Sequence, residues 1–192
     1  MRLCVFAGSS SGGNPNYARE AKRLGSLLAA RKIGLVYGGA SVGLMGAVAD
    51  GALEAGGEVI GVIPRSLLAR EIAHKQLTEL RVVSSMHERK ATMAHLSDGF
   101  IAIPGGIGTL EEIFEIWTWA QLGEHEKPCA LLNTGNYYAP LLSFLDNIVS
   151  DSFMKPAHRE MLLVDTEPER LLDRMKVYVP PIVIKWIGGG ER

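Results

Sequence analysis

Phe100-Ile101-Ala102-Ile103-Pro104-Gly105-Gly106-Ile107-Gly108-Thr109 runs from a short apolar stretch into a glycine-rich turn, and Leu110 to Trp119 continues it with the period of a helix. Strand, turn and helix in that order make half of a βαβ unit. The pattern recurs along the chain. Apolar runs at Leu3 to Ala7, Ile33 to Tyr37, Val59 to Ile63, Leu80 to Val83, Ala130 to Leu132 and Leu162 to Val164 alternate with longer segments of helical period. Such alternation implies parallel pairing, so the expected fold class is α/β, a Rossmann-like doubly wound parallel sheet. At 192 residues the chain is expected to form a single domain spanning 1–192. Asn14 before Pro15, and Ser85 three residues before Glu88, read as helix starts, while Gly56-Gly57 reads as a helix end.

Composition narrows the partners. Twenty Lys and Arg stand against 21 Asp and Glu, so no charge excess draws the protein to nucleic acid or an anionic membrane, and a small-molecule partner is expected. No stretch approaches the roughly 20 apolar residues of a membrane span. The first apolar run, Leu3 to Ala7, is shorter than the roughly 7 to 15 residues of a secretion signal and reads as a strand. Cys4 and Cys129 both lie in apolar runs, as small buried hydrophobes do, which suits a reducing cytoplasm.

In a sheet of this kind, ligands bind beyond the carboxyl ends of the strands, where amides at helix N-termini can hold an anion. Three glycine-rich turns fall there: Gly8 to Gly13, Gly38 to Gly43 and Pro104 to Thr109. None carries Gly-x-Gly-x-x-Gly with an acidic residue closing the second strand, which argues against a dinucleotide; no Gly-x-x-x-x-Gly-Lys-Ser/Thr loop occurs either. The five histidines form no spacing that suits a metal, so no metal site is expected. A lone glycine turn needs no ligand, but three at one sheet edge favour a phosphate-bearing one.

At about 100° per residue, Glu111, Glu115 and Thr118 share a polar wedge bordered by Glu112, and apolar side chains cover most of the remainder. Like charges three and four residues apart cost about 0.2–0.5 kcal/mol per pair, so something must offset them. Thr109-x-x-Glu112 also fits a capping box, a purely structural account of one of the three carboxylates. The helix from Met86 to Leu96 holds a second anomaly. Arg89 falls on its apolar stripe of Met86, Met93 and Leu96, with Lys90 on the flank, although cations are disfavoured near a helix N-terminus. Arg89 either snorkels to solvent, pairs with a buried carboxylate, or is aimed at a phosphate or at the third turn.

With Met86-His87-Glu88-Arg89-Lys90 and Pro104-Gly105-Gly106-Ile107-Gly108-Thr109-Leu110-Glu111-Glu112 both present, the sequence resembles the LONELY GUY (LOG) family of cytokinin riboside 5'-monophosphate phosphoribohydrolases, often labelled lysine decarboxylase-like. The resemblance extends from Phe6-Ala7-Gly8-Ser9-Ser10 through Tyr37-Gly38-Gly39 and Gly43-Leu44-Met45-Gly46 to Pro180-Pro181. It implies hydrolysis of the N-glycosidic bond of an N6-substituted adenosine monophosphate, giving free base and ribose 5-phosphate without a cofactor. By matching positions, Arg89 and Glu112 would be the catalytic pair. Substrate would be bound by Glu71, Arg89, Lys90, Gly105, Gly106, Ile107, Gly108, Thr109, Leu110, Glu111, Glu112 and Thr118. The resemblance also implies a homodimer with its sites near the subunit boundary. Ile107 stands where the family often has tyrosine, which changes a side-chain contact but not the backbone amides. Alternatives on the same residues are a nucleosidase for plain AMP, a non-catalytic nucleotide or cofactor carrier, and a pyridoxal-phosphate enzyme using Lys90.

Overall fold

A computed structural model describes residues 1–68 and 73–181; Glu71 and the Gly188-Gly189-Gly190 stretch lie outside them. Every expected strand forms. They are β1 (Arg2–Phe6), β2 (Gly34–Tyr37), β3 (Val59–Pro64), β4 (Glu79–Val83), β5 (Gly99–Ala102), β6 (Cys129–Leu132) and β7 (Leu162–Asp165). The helices are α1 (Pro15–Ala30), α2 (Gly43–Glu54), α3 (Met86–Leu96), α4 (Ile107–Leu122), α5 (Ala139–Ser150), α6 (Pro156–Glu160) and α7 (Pro168–Lys176).

Local chemistry sets the helix ends. The Asn14 side chain accepts the Asn16 amide at 3.0 Å, and Pro15 occupies the first turn of α1. Ser85 Oγ accepts the Glu88 amide at 3.1 Å, while Glu88 Oε2 reaches back to the Ser84 amide at 2.7 Å. The expected capping box therefore closes one residue further back than its usual form. Gly56, with φ of 75°, ends α2 as expected.

The strands pair in parallel in the order β4-β3-β2-β1-β5-β6-β7. Alternate residues of a strand face opposite sides, so Leu3 and Val5 enter one core, with α1, α2 and α7, while Cys4 and Phe6 enter the other, with α3, α4 and α5. The five inner strands are buried throughout or nearly so, as a sheet covered on both faces requires. Edge strand β4 instead exposes charge, its Arg81 paired with Glu79 at 2.7 Å, which blunts the open edge. The chain first builds outward from β1 to β4, then crosses through α3 to β5 on the other side of β1. The strand order thus reverses between β1 and β5, and the crevice there opens beyond their carboxyl ends.

Candidate active site

Phe6 pairs with Ala102, which sets the turns after β1 and β5 side by side. The Gly8 amide donates to the Pro104 carbonyl at 3.1 Å, and the Gly8 carbonyl accepts the Leu44 and Met45 amides from the start of α2 at 3.0 and 3.3 Å. All three glycine-rich turns therefore meet. A Cβ on Gly105 would lie 2.1 Å from Thr109 Oγ1, so only glycine lets Thr109 fold back beneath the turn. The helix cap is Gly106, with no side-chain cap bond, and no acidic residue falls in the first turn of α4. The capping-box reading of Thr109 and Glu112 is thereby overturned: Thr109 is the third helical residue, and Glu112 lies beyond the first turn.

A cavity of about 370 Å³ opens at this junction, lined by Arg89, Glu111 and Glu112, by Gly106 to Thr109, and by Gly8, Ser9, Met45, Leu67 and Met86. Arg89 is 5% exposed, so it does not snorkel. Its Nε donates to the Val62 carbonyl at 3.1 Å and its Nη2 to the Gly38 carbonyl at 3.0 Å, both near the carboxyl ends of their strands. Backbone oxygens, which no side-chain pattern advertises, hold the cation on its apolar stripe. Met86, expected in that stripe, is instead exposed at the cavity wall, because α3 turns its buried face through Arg89, Lys90 and Met93.

Lys90 accounts for the crowded acids. Its Nζ donates to Glu111 Oε1 at 2.5 Å and lies 3.0 Å from Glu115 Oε2, the latter an ion pair rather than an aligned hydrogen bond. Burial pulls the Lys90 ammonium down, but the Glu111 hydrogen bond and the charges of both glutamates outweigh it and hold the group above its ordinary value. The like-charge cost expected from the sequence is thus offset at Glu111 and Glu115.

The structure brings Arg89, Gly106, Ile107, Gly108, Thr109, Glu111 and Glu112 to one cavity. Lys90 joins them through Glu111. Gly105 lines a neighbouring cleft of about 270 Å³ that shares Gly8, Ser9 and Gly106 with the first. Leu110 and Thr118 line neither, and Thr118 is exposed further along α4. Sequence reasoning missed two supports. Tyr137 and Tyr138, in the turn after β6, donate their hydroxyls to the carbonyls of Gly105 and Ile103 at 2.5 and 2.7 Å. The His74 amide donates to the Gly39 carbonyl at 3.0 Å, while its ring Nε2 meets Asp50 Oδ1 at 2.9 Å and its Nδ1 accepts the Gln76 amide. These contacts brace the turns from behind; an adjacent Tyr-Tyr pair was the only visible signal.

Residues 45–175 match the family described as "Possible lysine decarboxylase". A rice (Oryza sativa subsp. japonica) protein named "Probable cytokinin riboside 5'-monophosphate phosphoribohydrolase LOGL9" is 51% identical over 93% of this chain and 79% of its own length. The Arabidopsis thaliana "Cytokinin riboside 5'-monophosphate phosphoribohydrolase LOG1" is 48% identical over 93% of this chain and 84% of its own. Among solved structures, the molybdenum cofactor binding protein from Rippkaea orientalis superposes with a TM-score of 0.68 at 25% identity, covering 91% of this chain and 94% of that one.

Proposed function

The chain belongs to the LOG family of phosphoribohydrolases, and we propose on that premise that it hydrolyses the N-glycosidic bond of N6-substituted adenosine 5'-monophosphates. One observation carries the reading: Arg89 and Glu112 line the same cavity as the Gly106 to Thr109 turn. The uncapped start of α4 suits a 5'-phosphate, since first-turn amides and the helix dipole both favour an anion. Cleavage builds positive charge on the ribose as the base departs. Glu112 stabilises that charge or activates the attacking water, whose oxygen bonds to C1' while the base leaves with the bonding pair and gains a proton. Arg89, fixed by the Gly38 and Val62 carbonyls, orients the anionic substrate in the same cavity. Met45, Leu67 and Met86 give the cavity an apolar side, which favours an alkyl substituent at N6 over plain AMP.

Chromatography of products from isopentenyl-AMP tests this directly. Free base and ribose 5-phosphate are expected, faster than the corresponding products from AMP; an AMP preference would mark a plain nucleosidase, and no free base would sink the reading. Glu112→Gln is expected to lower kcat by about 10²- to 10⁴-fold, and Arg89→Ala to lower it as well. Turnover unchanged in both variants would remove the catalytic assignment and favour a carrier on this fold. The decarboxylase label does not transfer to Lys90. Imine chemistry needs a neutral amine, and this one is ion-paired and held above its ordinary value.

The proposed working form is a cytoplasmic homodimer. Ile107 and Met86, 82% and 42% exposed at the cavity rim, are large apolar groups that a second copy would cover. The buried free thiols Cys4 and Cys129 suit a reducing compartment, and no helix among the described residues is long and apolar enough to cross a membrane. Light scattering should give twice the chain mass; a fully active monomer would overturn the assembly.

A further inference from the structure

We propose that Tyr137 is a positioning residue that aims the Gly106 amide at the phosphate, an assignment that rests on the hydrolase reading above. The Gly105-Gly106 peptide has glycine on both sides, so no Cβ restrains its rotation and either face could turn toward the cavity. Such a peptide needs an external hold. The Tyr137 hydroxyl supplies one, donating to the Gly105 carbonyl at 2.5 Å. In a trans peptide the carbonyl of one residue and the N–H of the next point in opposite directions, and no described peptide bond is cis.

Cavity geometry gives that opposition a consequence. Of these two cavities, Tyr137 and Gly105 line the smaller cleft and not the larger, whereas Gly106 lines both and so stands on the partition between them. Drawing the Gly105 carbonyl toward Tyr137 turns the Gly106 N–H away from the smaller cleft and toward the cavity that holds Arg89 and Glu112. A flipped peptide would present a carbonyl oxygen there instead, and an oxygen repels phosphate. Tyr137 is itself held in place. Its ring lies edge-on to Tyr17 at 5.6 Å and to Tyr138 at 5.0 Å, and Tyr138 is anchored through its amide on Asn133 Oδ1 at 2.7 Å.

The test removes the hydroxyl and keeps the ring. In Tyr137→Phe, calorimetry should show ribose 5-phosphate binding weakened about 5- to 10-fold, the effect of about one hydrogen bond, with adenine binding and Tm unchanged. KM for the nucleotide should rise by a similar factor, and more than kcat falls. In a Gly106→Pro background, where the amide proton is gone, Tyr137→Phe should have no further effect on ribose 5-phosphate. Equal weakening of both ligands, an unchanged ribose 5-phosphate affinity, or full additivity with Gly106→Pro would overturn the proposal. A wild-type protein that binds ribose 5-phosphate but cleaves no nucleotide would overturn the hydrolase reading while leaving the Tyr137 comparison intact.

Discussion

Gly38 shows how tightly the guanidinium of Arg89 is seated. A Cβ there would lie 2.2 Å from Arg89 Nη2 and 2.9 Å from Met45 Sδ. The Gly38→Ala substitution should therefore dislodge Arg89 from both carbonyls without disturbing the strand, since the new methyl meets side-chain atoms and not backbone. We expect kcat/KM to fall about 10-fold or more, consistent with losing a placed cation, while Tm drops by only a few degrees. Full activity in Gly38→Ala would mean that the carbonyl hold on Arg89 is irrelevant to function. Part of this seat is legible in the sequence, because a cation on an apolar stripe demands a partner. The identity of the partner is not, since a carbonyl belongs to every residue and only the fold decides which two converge.

At the scale of elements, legibility follows the strength of the local signal. All seven strands form within about two residues of the apolar runs, because inner strands of a parallel sheet must be apolar on both faces and so stand out as unbroken runs. Helix starts with a dedicated polar cap, at Asn14 and Ser85, are equally plain. The start of α4 misleads, because Thr109 and Glu112 have capping-box spacing while the helix begins two residues before Thr109, with glycine as its cap. Without a capping side chain, a helix start leaves little trace in sequence, and it is also what leaves room for an anion. The same feature hid the boundary and made the site. The Tyr137 brace was hidden for another reason: β6 lies next to β5 only once the sheet is assembled, and no spacing within the chain predicts that contact.

At the scale of the molecule, acid resistance should depend on how α7 is tied down. Glutamates 167 and 169 meet Arg23 of α1, and Asp173 meets Arg31, but these are exposed pairs of the kind that contribute little. Asp165, at the end of β7, is different. Its side chain is 8% exposed, and it accepts from Arg170 and from the Glu167 amide at 2.9 Å. Chiefly the Arg170 hydrogen bond, opposed by burial and aided by the Glu167 amide, lowers its carboxyl from 3.8 to about 2. A carboxylate favoured by the fold stabilises it fully above the unfolded value, and that contribution fades as pH falls through the folded one. Asp165→Asn should therefore cost on the order of 1–2 kcal/mol at pH 7, read from urea midpoints. The gap between wild type and variant should hold down to about pH 4 and close toward pH 2. A gap that persists unchanged at pH 2, or none at pH 7, would mean that packing rather than this charge secures α7 against the sheet.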